Sequence, residues 1–318
     1  MQFIYNDISL QHKTGDHPEC AERLADFTQL SQTKLVDASA FLSLVHTEKH
    51  ISAVQNAVKN RLSLDPDTLT SEKSYEAAVA GVSAAILASE TNGFSLMRPP
   101  GHHAYADKAS GFCLFNSMAV AAQKLANAGK KVLIIDIDGH FGDGTSDIFY
   151  KNKNVLYWSI HQAPAFPYKG KNHEIGEDKG KGFNWNIPLS HSSGDDIFID
   201  AIKSFLPLAE QFNPDIVGIS AGFDGHHSDP LLQMNLSFHS FYEVGILLQK
   251  KFKNIFGVLE GGYSLEYLPR CIESFMAGIN EEKMPHEEPR TFSNMETLAD
   301  YEETKLALMK ELSPYWLV

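Results

Sequence analysis

The sequence is poor in the features that mark secreted, membrane-spanning and nucleic-acid-binding chains. Its three cysteines, Cys20, Cys113 and Cys271, lie far apart and form no CxxC pair, which argues against a disulfide framework and a cysteine zinc or redox motif. The first residues, MQFIYNDISL, lack the basic start and apolar stretch of a secretion signal. The longest apolar run, residues 77–88, is too short to cross a bilayer. We therefore predict a cytoplasmic protein that contacts no membrane.

Basic residues are also in the minority. The chain has 27 Lys and Arg against 40 Asp and Glu, which gives a formal net charge of −13 at pH 7. Because nucleic-acid binding depends on basic surface, no nucleic-acid partner is predicted. An acidic surface suits cationic substrates, although it also serves solubility alone. The hydrophobic content of 43% is ordinary for a globular protein, and no repeat or linker divides the sequence, so we predict a single domain over residues 1–318.

The apolar pattern predicts a parallel sheet. Four segments rich in β-branched residues are typical of buried strands, at 132–136, 155–160, 216–220 and 255–259. Amphipathic patterns predict helices at 71–92, 116–128, 195–211, 237–253 and 294–311. This alternation predicts an α/β fold with a doubly wound, mostly parallel sheet and helices on both faces. Such sheets bind ligands beyond the carboxyl ends of their strands, and polar motifs follow all four predicted strands here.

Two of these motifs suggest a metal site. Asp138 and His140 lie two residues apart just past the first predicted strand, so both point to one side. Such a pair can bind zinc or ferrous iron, although Asp-Gly also forms simple turns. Asp224, after the third strand, would complete an Asp/His/Asp set with an open position, unless it only caps a helix. The adjacent His226 and His227 cannot easily share one face, and we predict them to be surface or rim residues.

Other motifs suggest acid–base chemistry beside this metal. His102 and His103 lie in a loop rich in proline and glycine, where they could bind metal or transfer protons. Asp136 and Asp143 are the spare carboxylates of the metal loop, and they could form two His–Asp couples with these histidines. Tyr263 follows a Gly-Gly turn after the fourth strand. Its phenol could donate a hydrogen bond to a carbonyl or oxyanion, with core packing as the alternative.

In this order, the motifs resemble those of the histone deacetylase superfamily, which includes bacterial deacetylase-like amidohydrolases and acetylpolyamine amidohydrolases. The resemblance runs from His17 to Tyr263 and is carried by PPGHHA, SGFCLFN, DIDGH with GDGT, SIH, SAGFD with DP, and LEGGYS. It implies an arginase/deacetylase-like fold. It also implies a zinc-dependent amidohydrolase that removes acetyl or other acyl groups from lysine side chains or related amines. Asp138, His140 and Asp224 match the zinc ligands.

The resemblance implies roles for further positions. His103 matches the general base and acid, and Asp143 matches its partner. His102 matches an electrostatic neighbour paired with Asp136, and Tyr263 matches the phenol that stabilises the transition state. The apolar channel for the acyl-amine stem would be formed by Gly111, Phe112, Phe166 and Leu231. Backbone potassium sites are implied at Asp136, Asp138, His140, Ser159 and Ile160 and, for a second ion, at Phe149, Asn152, Val155 and Phe183.

Two positions depart from the family pattern, and three alternatives stay open. Phe141 stands where the family usually has a histidine that does not bind the metal, and Gly139 stands where a larger apolar residue is common. An arginase-like dimanganese enzyme would need more carboxylates than Asp224 and Asp229 supply. A non-catalytic binding module would keep the fold without the reaction. An acetylpolyamine deacetylase suits the charge of −13, although residues 64–99 leave little room for a long insertion.

Overall fold

Seven strands form one parallel sheet. In the computed structural model, which describes residues 1–318, they are β1 Phe3–Ile4, β2 Phe94–Ser95, β3 Val132–Asp136, β4 Val155–Gln162, β5 Asn184–Leu189, β6 Ile216–Ala221 and β7 Ile255–Leu259. The strand order is β1-β2-β7-β6-β3-β4-β5, and every pairing is parallel. The predicted doubly wound α/β architecture is confirmed.

Eight α-helices flank the sheet. They are α1 Glu48–Asn60, α2 Ser74–Thr91, α3 Ser117–Asn127, α4 Asp143–Phe149, α5 Asp195–Gln211, α6 Phe238–Lys251, α7 Leu268–Ile279 and α8 Met295–Leu312. The predicted helices correspond to α2, α3, α5, α6 and α8 within three residues at either end. The sequence reading missed α1, α4 and α7 and the strands β1, β2 and β5. None of the helices has the length and apolar character needed to span a membrane.

Both faces of the sheet are buried, which explains the continuous apolar runs of β3 and β7. Alternate residues of β3 enter different cores, because side chains of a strand point to opposite faces. Leu133 and Ile135 pack in the larger core, which includes residues of α5 to α8. Val132 and Ile134 pack in the second core with residues of α2 and α3. A parallel sheet covered in this way has no polar face.

The sheet has a topological switch between β3 and β6. Asp136 at the end of β3 is in register with Ser159 of β4 and Ser220 of β6. From β3 the chain continues to β4 and β5 on one side, whereas from β6 it continues to β7 on the other side. The loops after β3 and β6 therefore diverge and leave a crevice at the carboxyl edge of the sheet, where ligands bind in such folds.

Candidate active site

Three side chains from two strand ends converge in this crevice, and we call Asp138, His140 and Asp224 the ligand set. His140 Nδ1 lies 2.9 Å from Asp224 Oδ2 and 3.2 Å from Asp138 Oδ1. The three candidate ligand atoms all lie within 4.8 Å of one another. Both carboxylates are fully buried. The sequence-predicted ligands are thus brought together, with one oxygen of each carboxylate directed at the imidazole.

Backbone groups fix the other oxygen of each carboxylate. Asp138 Oδ2 accepts the Gly261 N–H at 2.7 Å, and Asp224 Oδ1 accepts the Gly139 N–H at 2.6 Å. The approach requires bare backbone, since a Cβ on Gly222 would lie 1.9 Å from Asp138 Oδ2. A Cβ on Gly261 would lie 2.4 Å from Asp224 Oδ2. The glycines after β6 and β7 therefore make the space in which the carboxylates lie.

The charges of the ligand set call for a cation. Burial lowers the pKa of His140, but Asp224 and Asp138 outweigh burial and raise the pKa to about 10. A positive charge at Nδ1 is therefore strongly favoured between the two carboxylates. A divalent ion in place of this proton meets the same demand with a larger charge. Two carboxylates and one imidazole are donors that zinc and ferrous iron accept, so these residues fit a divalent metal ion.

The first histidine of the tandem pair is held beside the ligand set. His102 Nδ1 lies 3.1 Å from Asp136 Oδ2, and His102 Nε2 lies 3.8 Å from Asp138 Oδ1. Burial opposes protonation of His102, but Asp138 and Asp136 raise its pKa well above the usual value. His102 therefore tends to carry a positive charge next to the carboxylates.

The second histidine has the opposite character. His103 Nδ1 lies 2.8 Å from Asp143 Oδ1, which leaves Nε2 as its free nitrogen. Burial, with the neighbouring His102, lowers the pKa of His103 to about 4. The imidazole is therefore neutral at pH 7 and able to accept a proton. Burial favours the neutral form of Asp143, yet the hydrogen bond from His103 keeps the pKa of this carboxylate below its ordinary value.

A cavity of about 430 Å³ leads from the surface to these groups. His103, His140 and Tyr263 are among its lining residues. The four predicted channel residues all line it as well: Gly111, Phe112, Phe166 and Leu231. Gly111 has φ +51°, and a Cβ there would lie 2.6 Å from His103 Cδ2, so this wall position requires glycine.

Tyr263 lines the cavity together with His140 of the ligand set, and its hydroxyl makes no hydrogen bond within the protein. Its backbone N–H donates to Asp229 Oδ2 at 2.6 Å, and its ring meets Phe112 edge-on at 5.6 Å between centroids. The Arg23 guanidinium carbon lies 4.9 Å from the centre of the same ring. Burial raises the pKa of Tyr263 well above its usual value, so the phenol stays protonated. Asp229 also accepts the Leu231 N–H at 3.0 Å, and it does not belong to the cluster of possible metal ligands that Asp138, His140 and Asp224 form.

The prediction for the other tandem histidines is wrong for His226, which is 2% exposed. Both rings turn to the same side: His226 Nε2 lies 3.3 Å from Glu288 Oε2, and His227 Nε2 lies 2.7 Å from Glu288 Oε1. The rings stack at 4.4 Å with 30° between their planes. The ligand atoms of His226, His227 and Glu288 lie within 4.8 Å of one another, as do those of the ligand set. The cluster ties Glu288 to the loop after β6.

The two positions that depart from the family pattern leave the ligand set intact. Phe141 is buried, and its ring centre lies 4.9 Å from that of His161. Burial lowers the pKa of His161 to about 3, so Phe141 packs on a neutral ring. At Gly139, a Cβ would lie 2.3 Å from Leu232 Cδ1 and 3.0 Å from Asp224 Oδ1. A larger residue at this position would have to displace Leu232.

Sequence reasoning missed five residues of the site. The Tyr157 hydroxyl donates to Asp136 Oδ2 at 2.8 Å, and the Tyr105 hydroxyl donates to Asp143 Oδ2 at 2.5 Å. Glu260 accepts the N–H groups of the tandem-histidine loop at 2.6 and 3.0 Å. Asp65 and Asp67 line the cavity from a loop before α2. Of these five residues, only Glu260 had a signal in the sequence, because it directly follows a predicted strand. No sequence pattern marks the other four as site residues.

Comparisons with known proteins agree with this geometry. The family model of the histone deacetylase domain matches residues 17–279. The chain is 32% identical over 309 residues to a probable deacetylase of Archaeoglobus fulgidus, an alignment that covers 87% of this chain and 86% of that protein. Several other curated relatives are longer, and this chain spans about half of their length.

Solved structures show the same fold. The crystal structure of the HDA15 HD domain superposes with a TM-score of 0.88 and 30% identity, and covers 99% of this chain and 94% of that one. The acetylpolyamine aminohydrolase of Burkholderia pseudomallei gives a TM-score of 0.80 and 26% identity over 88% of this chain and 98% of that one. Because the domain match covers most of the sequence, the chain belongs to the histone deacetylase superfamily and is a hydrolase of amide bonds.

Proposed function

We propose that this chain is a zinc-dependent deacetylase that hydrolyses N-acyl amines, most simply the acetylated side chain of lysine. One observation carries the proposal: a neutral histidine, a protonated phenol and the ligand set meet at the same cavity. His103 and Tyr263 both line the cavity together with His140 of the ligand set. A base, an oxyanion donor and a metal site in one place are the parts that hydrolysis of an amide needs.

The ligand set would hold zinc or ferrous iron. When bound, the ion supplies Lewis acidity toward the acyl carbonyl and the attacking water. Structural potassium is a further part of the proposal, at the backbone of Asp136, Asp138, His140, Ser159 and Ile160 and, for a second ion, of Phe149, Asn152, Val155 and Phe183. The first group lies where β3 ends beside β4, with Asp136 in register with Ser159.

His103 acts as the base and then as the acid. Its free Nε2 accepts the proton of the water molecule as the water attacks the acyl carbon. Asp143 holds the ring through Nδ1 and stabilises the imidazolium that forms. The same Nε2 then donates the proton to the amine nitrogen as the C–N bond breaks. The products are a carboxylic acid and a free amine.

Tyr263 and His102 stabilise charge during this reaction. The phenol of Tyr263 is protonated and donates to the oxygen that becomes negative in the tetrahedral intermediate. One such donor is worth roughly 3 kcal/mol of transition-state free energy. His102, paired with Asp136, places a positive charge near the reacting groups and does not compete with His103 for the proton of water.

The cavity suits an alkyl amine with a cationic remainder. Phe112 and Phe166 line it with apolar surface that can contact a methylene stem, and Asp65 and Asp67 add carboxylates among its lining residues. Carboxylates at a binding cavity attract cationic substrates. This favours acyl-lysine in a basic peptide, and acetylpolyamines form the second candidate class. The three free cysteines are consistent with a reducing compartment, and we propose the cytoplasm.

A substrate panel tests the proposal. We expect hydrolysis of an acetyl-lysine peptide by the zinc-loaded protein, with kcat/KM higher than for acetylspermidine, acetylputrescine and longer acyl-lysines. The measurement is steady-state kinetics with detection of the released amine. Higher kcat/KM on acetylspermidine would transfer the assignment to the polyamine class. No turnover of any acyl amine by protein with one zinc per chain would contradict the proposed function.

A further inference from the structure

A hydrogen-bonded chain leads from an exposed lysine to the proposed base. Lys169 Nζ donates to Tyr105 Oη at 2.7 Å, and the Tyr105 hydroxyl donates to Asp143 Oδ2 at 2.5 Å. The other oxygen, Asp143 Oδ1, lies 2.8 Å from His103 Nδ1. Each oxygen of this carboxylate thus has one partner. The mechanism above uses only one of the two.

The donor and the acceptor of each hydrogen bond from Lys169 through Tyr105 to Asp143 are fixed. A lysine ammonium can only donate, so the Tyr105 oxygen must accept from Lys169 and give its own proton to Asp143. Tyr105 is 6% exposed, and burial together with Asp143 raises the pKa of its phenol far above the usual value, so the proton stays on the oxygen. Asp143 therefore receives one hydrogen at each oxygen. This arrangement favours the His103 tautomer with the proton on Nδ1 and Nε2 free.

Charged groups of both signs surround the ring of Tyr105. The ammonium groups of Lys108 and Lys169 lie 4.3 and 5.1 Å from its centre. The negative charges of Asp107 and Asp147 also raise the pKa of the Tyr105 phenol. Lys108 helps to hold the plane of the ring, since a cation is attracted to an aromatic face, whereas Lys169 acts on the hydroxyl through its hydrogen bond.

Lys169 also connects these hydrogen-bonded residues to the wall of the cavity. Lys169 lies in the loop between β4 and β5, which also bears Phe166. The ring of Phe166 meets His103 edge-on at 5.0 Å between centroids. The loop therefore contacts the base in two ways, through an apolar ring and through the polar chain from Lys169. A shift of the loop would reach His103 by both contacts.

We propose that Tyr105 is a positioning residue for the general base, and that Lys169 couples it to the loop that carries Phe166. The inference rests on the proposed function, because it assumes that His103 is the base. Without the Tyr105 hydroxyl, Asp143 Oδ2 has no partner and the carboxylate can rotate. His103 is then held less often with Nε2 toward the substrate. Tyr105 does not line the cavity, so we expect its substitution to leave substrate binding unchanged.

The test compares kcat with KM. Tyr105→Phe keeps the ring and removes the hydroxyl, and we expect kcat to fall about tenfold with KM unchanged. Lys169→Met should lower kcat in the same direction, and Lys169→Arg should restore it by keeping the donor. Tyr75→Phe is the matched control, because this ring packs edge-on against Phe115 away from the cavity, and kcat should stay at the wild-type value.

A second readout does not depend on activity. In zinc-loaded protein with ¹⁵N-labelled histidine, we expect the His103 Nδ1 proton to exchange with solvent faster in Tyr105→Phe than in the wild type. An unchanged exchange rate in Tyr105→Phe would overturn the inference. This holds if kcat is unchanged, and it also holds if kcat falls only as far as a loss of stability and of zinc explains. If the wild type hydrolyses no acyl amine, the proposed function fails, whereas the exchange rates still decide whether Tyr105 positions His103 through Asp143.

Discussion

His102 and His103 are neighbours in sequence, yet their protonation differs because their partners differ. His102 lies within reach of Asp136 and Asp138, and the two carboxylates raise its pKa in spite of burial. His103 has Asp143 as its carboxylate partner and His102 as a cationic neighbour, so burial prevails and its pKa falls to about 4. One ring can therefore supply charge while the other accepts a proton. Burial also keeps the phenol of Tyr263 protonated, so this hydroxyl can donate a hydrogen bond.

Tyr263→Phe tests that role at the scale of a single atom. The change removes the hydroxyl while the ring still packs on Phe112, so we expect full metal content and an unchanged Tm. Loss of one oxyanion donor should lower kcat about a hundredfold. Steady-state kinetics on an acetyl-lysine peptide and metal analysis make the measurement, with Tyr150→Phe as the control, because Tyr150 does not line the cavity. Wild-type kcat in Tyr263→Phe would remove the phenol from the mechanism.

At the scale of elements, the ends of three strands build one site. β3 supplies Asp138 and His140 from its loop, β6 supplies Asp224, and β7 supplies the backbone of Gly261 that binds Asp138. These loops meet because β3, β6 and β7 are adjacent and parallel, so their carboxyl ends lie at the same edge. The glycines at these ends matter for space more than for flexibility, since the carboxylates lie directly against their Cα atoms.

Gly222→Ala tests this use of space. The new methyl group would lie 1.9 Å from Asp138 Oδ2, so the carboxylate must move out of the ligand set. We expect loss of stoichiometric zinc and of activity, measured by metal analysis and kinetics. Gly81→Ala in α2 is the matched control, because a Cβ at this position would have no neighbouring atom closer than 3.4 Å. Alanine favours a helix by about 1 kcal/mol relative to glycine, so this variant should keep its zinc and unfold at the same or higher temperature. Full zinc occupancy in Gly222→Ala would contradict the argument.

Across the whole molecule, one buried ionic cluster joins the amino-terminal segment to the sheet. Glu19 pairs with Arg98 at 2.6 Å and with Arg23 at 3.1 Å. Arg23 also donates to the Glu260 carbonyl at the end of β7 at 2.7 Å. Arg98 immediately precedes the loop of the tandem histidines and donates to the Ser9 carbonyl at 3.0 Å. The cluster therefore connects the chain start with two sides of the site.

Removal of the Glu19 charge should destabilise the fold. Glu19→Gln leaves two buried guanidinium groups without their carboxylate, and breaking such a pair costs about 3–5 kcal/mol of unfolding free energy. Urea unfolding at pH 7 measures the change. Glu76→Gln is the control, because it removes an exposed partner of Lys73 and should change the stability little. Equal stability of the Glu19→Gln variant and the wild type would show that the cluster contributes nothing.

The pH dependence of the unfolding free energy follows from the carboxyl group of Glu19. Burial opposes ionisation of Glu19, but Arg98, His12 and Arg23 outweigh burial and hold its pKa well below the usual range. A depressed pKa contributes stability that is complete above the unfolded value of about 4.3 and is lost as the pH falls toward the folded value. The wild type should therefore lose more stability between pH 5 and pH 3 than Glu19→Gln does.

Much of the fold and site could be predicted because the signals are local. The buried strands β3 and β7 are continuous apolar runs, and their bounds match the prediction residue for residue. Strand β5 could not be recognised, because Asn184 and Asn186 interrupt its apolar pattern. These side chains are buried, and their amide groups donate to the Glu174 carbonyl at 2.6 and 2.9 Å, a partner ten or more residues away. A strand whose polar groups are satisfied by a distant loop has no local signature.

The sequence by itself determined the residue types of the proposed metal site, their spacing after the strands and the order of the family motifs, because these depend on side-chain chemistry and on strand periodicity. Only the tertiary structure decided the protonation of the two tandem histidines, the burial of His226 against Glu288 and the chain from Lys169 through Tyr105 to Asp143. Each of these depends on burial and on charges from segments far apart in the sequence. Such electrostatic effects act through space, and no local pattern of residues encodes the distances that set them.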